Sequence, residues 1–355
     1  MSDLTTRIEA FVKLGVFFNE FCNSDNKQVE SKEELAELFS SLEEKITLSQ
    51  HKNGWFTREN ILYSLQNWAQ ALSEENLKEW TANYAISESK SQKTVALILA
   101  GNIPLVGFHD FLSVLITGHK ALVKLSSNDN ILLPFVADIL IHFQPEFEHF
   151  IQFEKEKLTD FDMVIATGSN NTARYFEHYF KNKPHIIRKN RNSAAILTGH
   201  ETKEDIQALG EDIFRYFGLG CRSVSKVFVP KNYKFDSFFE AIYNYHPIIE
   251  LAKYANNYDY NKAVYLMSEF KLLDNGFLIL KEDKSYSSPI ASLFYESYDN
   301  INDIINKLDQ DKEQIQCIVA SGVLTNEIKF GTTQKPSLQD YADNIDTVDF
   351  LLRNS

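Results

Sequence analysis

Cysteine is scarce in this chain: three in 355 residues, Cys22, Cys221 and Cys317, with no CxxC pair and an odd one left over. That scarcity excludes a disulfide framework and a thiolate zinc cage, and it suits a reducing compartment. No apolar run approaches the roughly 20 residues that a bilayer crossing requires. Asp3, Glu9 and Lys13 interrupt the first apolar stretch, so the N-terminus reads as an amphipathic helix rather than a signal peptide. The cytoplasm is the expected location. An excess of positive charge is also missing, because 36 Lys and Arg face 49 Asp and Glu for a net charge of −13. With no basic stripe interleaved with aromatics, nucleic acid is excluded as an expected partner.

What the chain does have is apolar bulk. At 44% hydrophobic residues it can bury a large core, and its length predicts two packed domains. Residues 1 to about 90 read as helices, with Phe11, Leu14, Phe17, Phe18 and Phe21 on one face and Thr57 as an N-cap. From Thr94 the pattern changes. Apolar runs at Thr94–Ala100, Ala121–Leu125 and Phe161–Ala166 are each followed by a turn and a helical pattern, with Ser126, Ser127 and Asn128 expected to cap the second helix. This alternation predicts a parallel, doubly wound sheet, which binds ligands beyond the carboxyl ends of its strands. The three turns there carry Asn102, then Lys124, Ser126 and Ser127, then Gly168 and Ser169.

A second α/β block follows, with strands expected at about 193–198, 224–229, 277–281, 290–295 and 315–320 and helices at about 203–217, 235–254 and 299–308. The expected organisation is 1–187 for the helical region and first α/β domain, 188–329 for the second, and 330–355 for a tail packing back on the first domain or on a neighbouring subunit. The two blocks are expected to pack around a cleft.

Cys221 lies in Phe217-Gly218-Leu219-Gly220-Cys221-Arg222-Ser223, after a helical pattern ended by the glycines and before a strand. A thiol on such a turn can be held and still be reached, although a cysteine outside a disulfide is more commonly a small buried hydrophobe. The Gly-Leu-Gly is no dinucleotide fingerprint, since it follows a helix and lacks the third glycine; a P-loop is absent, and no metal site is expected. Gly168 and Ser169 at a helix N-terminus could meet a phosphate or merely cap the helix.

Taken in order, Ala100-Gly101-Asn102-Ile103-Pro104-Leu105, Lys124-Leu125-Ser126-Ser127, Thr167-Gly168-Ser169 and Gly220-Cys221 resemble the aldehyde dehydrogenase superfamily. The phrases Gly101–Ser127, Thr167–Arg174 and Pro336–Leu351 resemble more closely the LuxC-type acyl-CoA reductases, which supply fatty aldehydes in bacterial bioluminescence. The resemblance covers the chain from about residue 54 onward. It implies an aldehyde dehydrogenase-like fold, two doubly wound α/β domains behind an N-terminal helical region, usually in a homo-oligomer. It implies Cys221 as the thioester-forming nucleophile and Asn102 as the oxyanion donor. Lys124, Ser126 and Ser127 fall where the adenosine ribose is met, and Gly168 and Ser169 where the cofactor phosphates are met. Ser127 stands where NAD-preferring members often carry a ribose-binding glutamate, which points to NADPH.

Two departures from the superfamily bear on the reaction. Where hydrolytic members carry a glutamate that activates water, this chain has Arg188. Before Pro289, where a glutamate often holds the nicotinamide ribose, it has Ser285-Tyr286-Ser287-Ser288. A missing water base favours an acyl-enzyme that survives until hydride arrives. The expectation is NADPH-dependent reduction of a fatty acyl-CoA, or of an acyl group from a partner protein, to the aldehyde. The alternatives are oxidative aldehyde dehydrogenation and a non-catalytic acyl-binding subunit. Because a thiol attacks as thiolate, Arg188 and Arg222 are candidate activating cations. His185 and His109 are candidate proton shuttles, each with the alternative of a satisfied core histidine.

Overall fold

The computed structural model describes residues 3–23, 33–86 and 91–355. They form two compact units, one of 1–189 and 337–355, the other of 190–336.

The first unit opens with α1 (Leu4–Asn23), α2 (Glu33–Lys52), α3 (Arg58–Ala71) and α4 (Glu74–Ala82). Thr57 caps α3 by accepting the Asn60 N–H, and Phe11, Leu14, Phe17 and Phe18 enter the unit's main core. Next come β1 (Thr94–Ile98), α5 (Phe108–Ile116), β2 (Lys120–Lys124), α6 (Leu132–Phe143), β3 (Ile151–Phe153), β4 (Met163–Thr167), α7 (Asn170–Tyr179) and β5 (His185–Arg188). The sheet is parallel throughout, in the order β3-β2-β1-β4-β5. Period-2 alternation sends Val95 and Leu97 into the main core and Ala96 into a second cluster on the other face, with Val164 and Ala166. Both faces are therefore covered, as a parallel sheet requires. Chain order reverses between β1 and β4, which makes their carboxyl ends the switch point of this sheet.

The second unit contains β6 (Asn192–Ile196), α8 (Lys203–Phe214), β7 (Val224–Pro230), α9 (Asp236–Ala241), α10 (Ala252–Met267), β8 (Leu272–Asp274), β9 (Ile279–Glu282), β10 (Ser292–Tyr298), α11 (Ile301–Gln310) and β11 (Ile315–Val319). Its sheet runs β11-β6-β7-β10-β9-β8, parallel except for the edge strand β8. Val227 and Val229 face the α8 and α9 side, and Phe228 faces α11. Lys226, on the Phe228 face, is wholly buried; Glu296 pairs with it at 2.7 Å while burial pushes its pKa down. The single helix expected over 235–254 is broken, because Pro247 lies in a 3₁₀ stretch, Tyr243–Glu250, between α9 and α10 and lacks the N–H that a helix interior needs.

The terminal helix α12 (Thr347–Arg353) returns to the first unit. Tyr341 just before it accepts a hydrogen bond from Trp80 Nε1 at 2.6 Å and meets the Tyr84 hydroxyl at 2.7 Å. Val348 and Leu351 join the main core. Among the described residues no helix is long and apolar enough to cross a membrane.

Candidate active site

In the first unit the turns after β1, β2 and β4 lie together at the carboxyl end of the parallel strands. A Cβ on Gly101 would stand 2.7 Å from the Ser126 Cβ, so glycine is what lets the first turn lie against the second. Asn102, next to it, is exposed. Asp129 adds a second tie by accepting the Leu105 N–H at 3.1 Å, and it holds Leu105 in the left-handed region at φ 56°. Burial pushes the Asp129 pKa up to about 6.

The expected helix cap at Ser126–Asn128 is corrected. Helix α6 starts at Leu132 with Ile131 as an N-cap that makes no side-chain bond. Ser126 Oγ instead accepts the Asn128 N–H at 3.2 Å, and Ser127 stands exposed in the turn. Lys124 ends β2 with its Nζ donating to the Glu156 carbonyl at 2.9 Å. Ser169 caps α7, its Oγ accepting the Thr172 N–H at 3.3 Å, and the Gly168 N–H donates to the Arg188 carbonyl at 3.2 Å. The Ser169 hydroxyl thus serves the helix, by holding the Thr172 N–H of its first turn.

These residues fit a dinucleotide. A Cβ at Gly168 would come within 3.0 Å of Thr172 and crowd the turn, while the Lys124 amine and the exposed Ser127 hydroxyl are polar groups at the end of β2 that a ribose could meet.

The structure turns Arg188 and His185 away from the auxiliary roles expected of them. Arg188 is 7% exposed, ion-paired with Asp110 on α5, and donates to Thr347 Oγ1 on α12 at 2.9 Å. It pins β5, α5 and α12 together. His185 begins β5 opposite Val164, whereas Arg188 ends it opposite Thr167, so about 10 Å of strand separates the imidazole from the Gly168 turn. Its Nδ1 lies 2.9 Å from the Lys183 carbonyl. His109 is half-buried on α5: it contacts the Leu338 carbonyl and the rings of Trp80 and Tyr341, and desolvation lowers its pKa.

Removing one member of a buried pair strands the other charge. Arg188→Ala is therefore expected to lower stability by about 3–5 kcal/mol, read as the urea midpoint; an unmoved midpoint would show that the pair holds nothing together.

In the second unit, α8 begins with a reciprocal capping box between Thr202 and Asp205. It ends at Phe214, earlier than the glycines predict. Tyr216 (φ 55°), Phe217 (φ 58°) and Gly218 (φ 73°) then turn the chain in the left-handed region, which costs roughly 1–2 kcal/mol per residue bearing a Cβ. Cys221 follows, exposed, at the amino end of β7. Its carbonyl accepts from Ser193 Oγ at 3.0 Å; Ser193 is fully buried on β6, with the Cys317 Sγ 3.0 Å away. On its other side, Arg222 Nε donates to the Thr333 carbonyl at 2.6 Å, and Gln334 Nε2 donates to Ser223 Oγ at 3.2 Å. Arg222, expected as a cation for the thiol, has its Nε committed to this backbone contact. Nothing in the sequence marked Ser193, Thr333 or Gln334 as parts of the cysteine loop. Among the described residues no cluster of His, Cys, Asp and Glu is placed to hold a metal ion.

Solved structures share this fold. Aldehyde dehydrogenase 21 of Physcomitrella patens matches 99% of this chain and 87% of its own at 11% identity, with a TM-score of 0.65. Indole-3-acetaldehyde dehydrogenase AldA of P. syringae, solved with NAD+, matches 92% of this chain and 74% of its own at 12% identity, TM-score 0.62. An aldehyde dehydrogenase of Bacillus cereus, also an NAD+ complex, matches 90% and 72% at 14% identity, TM-score 0.60. At such identities the likeness is one of fold. No curated protein matches the chain. The family described as acyl-CoA reductase (LuxC) matches residues 8–332.

Proposed function

The chain belongs to the acyl-CoA reductase (LuxC) family, and from that membership we propose that Cys221 is its nucleophile, Asn102 its oxyanion donor and NADPH its reductant. The family's reaction reduces an acyl-CoA thioester to the aldehyde. The observation that carries the residue assignment is the exposed Cys221 on a loop whose backbone is fastened to β6 at its own carbonyl and whose Arg222 and Ser223 side chains are fastened to residues 333–334.

In this reading the Cys221 thiolate attacks the acyl carbonyl, a new S–C bond forms, and the C–S bond to CoA breaks, with the departing thiolate taking a proton from water. The Asn102 amide donates to the oxygen that gains charge in that step. A reduced nicotinamide supplies the hydride. The resulting thiohemiacetal at Cys221 collapses, its S–C bond breaks, and the thiolate returns as the aldehyde leaves. Hydrolysis needs a base for water, and Arg188, at the position where hydrolytic dehydrogenases carry that base, is a buried guanidinium already paired with Asp110. That supports reduction over acid formation. A single-turnover experiment tests the reading. Fatty acyl-CoA alone should add one acyl mass at Cys221 and release CoA, and NADPH should then remove that mass with one aldehyde formed; acid as the product would overturn it.

The choice of NADPH rests on Ser127. A glutamate there would accept hydrogen bonds from the ribose hydroxyls of NADH and repel a 2′-phosphate, whereas serine repels neither. Ser127→Glu is expected to move the ratio of kcat/KM values toward NADH by about 1–2 kcal/mol. Since α6 takes no cap from Ser127, stability should stay within about 0.5 kcal/mol. A ratio that does not move would place the ribose elsewhere.

A further inference from the structure

We propose that Asp212 and Thr333 are positioning residues for the Cys221 loop, acting through a strap formed by residues 331–334. The proposal rests on the reading of Cys221 as nucleophile. Asp212 lies in the last turn of α8 and is wholly buried. Its Oδ2 accepts the Gly331 N–H at 2.7 Å, and its Oδ1 accepts both the N–H and the hydroxyl of Thr333 at 3.0 and 2.9 Å. A carboxylate out of water is costly unless donors converge on it. Here burial pushes the pKa up to about 6, and the Gly331 and Thr333 donors pull against that rise.

The strap lies tight on the helix. Gly331 has φ 78°, and a Cβ there would stand 3.1 Å from the Ala208 Cβ. The same Thr333 that Asp212 grips offers its carbonyl to Arg222, and Gln334 reaches Ser223. The two residues that follow Cys221 are therefore tied, through one strap, to the helix that precedes it. On the near side the chain passes through the left-handed Tyr216 and Phe217. A backbone in that conformation persists only where its surroundings over-determine it. Asp212 and Thr333 hold the far side of the same loop at Arg222 and Ser223, and a held loop matters for chemistry because small displacements of an attacking atom can cost up to about 10²-fold in rate.

A strap that only staples the fold would alter stability and the fraction of competent molecules, but not the rate of each competent thiol. The test is therefore acylation by a fatty acyl-CoA, followed as CoA release in stopped flow and normalised to titrated Cys221. Thr333→Val removes the hydroxyl with little change of volume and keeps the backbone contacts; Thr333→Ser returns the hydroxyl. The limiting acylation rate is expected to fall about tenfold in Thr333→Val, with half-saturating acyl-CoA within about twofold of wild type, and to recover within about twofold in Thr333→Ser. Should Thr333→Val fail to fold, Asp212→Asn gives the second measurement, with the same fall expected. A limiting rate per titrated thiol equal to wild type overturns the proposal, as does a change confined to half-saturation. Mapping the acyl group separates the two readings. An adduct away from Cys221 refutes the nucleophile assignment, whereas an adduct on Cys221 formed at an unchanged rate refutes only the strap.

Discussion

Cys221→Ala is expected to give a folded protein that takes up no acyl group and forms no aldehyde, a loss of roughly 10³-fold or more in turnover. The side chain is exposed, so removing its sulfur should move stability by less than about 0.5 kcal/mol. The other two thiols offer no substitute. Cys22 sits on α1 with its Sγ 3.8 Å from the Leu62 carbonyl, and burial pushes its pKa up to about 11, so at neutral pH it is almost wholly the unreactive thiol. Cys317 is on β11 with its sulfur against the buried Ser193 hydroxyl. Intact-mass and peptide mapping after mixing with acyl-CoA decide the matter. An adduct on Cys22 or Cys317, or aldehyde formed by the variant at the wild-type rate, would remove Cys221 from the mechanism.

Asn102→Ala is expected to slow acylation by roughly 10²–10³-fold while leaving cofactor binding and the fold intact, the usual cost of losing one oxyanion donor. The separation is expected because the backbone of this turn is placed by its neighbours. Gly101 lies against Ser126, and Asp129 holds the Leu105 N–H; neither tie uses the Asn102 side chain. The defect should therefore fall on the chemical step, as a slower burst of CoA release with unchanged quenching of bound NADPH fluorescence. An unaltered burst rate would assign the oxyanion contact to another group.

The alternation of strands and helices was legible because strands buried on both faces read as short apolar runs, and Val95–Leu97 and Val227–Val229 are such runs. Strands β3 and β8, three residues each, are too short to leave a periodic signal. Pro247 was a readable break in the helix expected over 235–254, and the apolar spacing around it masked the signal. At the cysteine loop the glycines suggested where α8 would stop, but the chain turns at Tyr216 and Phe217, residue types that carry no left-handed preference. Arg188 stood out as a charge at a telling position. Its partners, Asp110 and Thr347, lie 78 and 159 residues away, and such pairings follow from tertiary packing, which local pattern does not encode. The same holds for Asp212 and its strap.

The first unit is assembled from two separated stretches of chain, and the second occupies the interval between them. During synthesis this imposes an order. Residues 190–336 emerge as one continuous stretch able to close their own sheet while the first unit still waits for its last segment. Until residues 337–355 leave the ribosome, the Trp80 indole N–H lacks the Tyr341 oxygen, the Arg188–Asp110 pair lacks Thr347, and the places of Val348 and Leu351 in the apolar core stand open. The nascent protein therefore passes through a stage in which the loop carrying Cys221 can be formed while the core of the first unit still lacks its last helix.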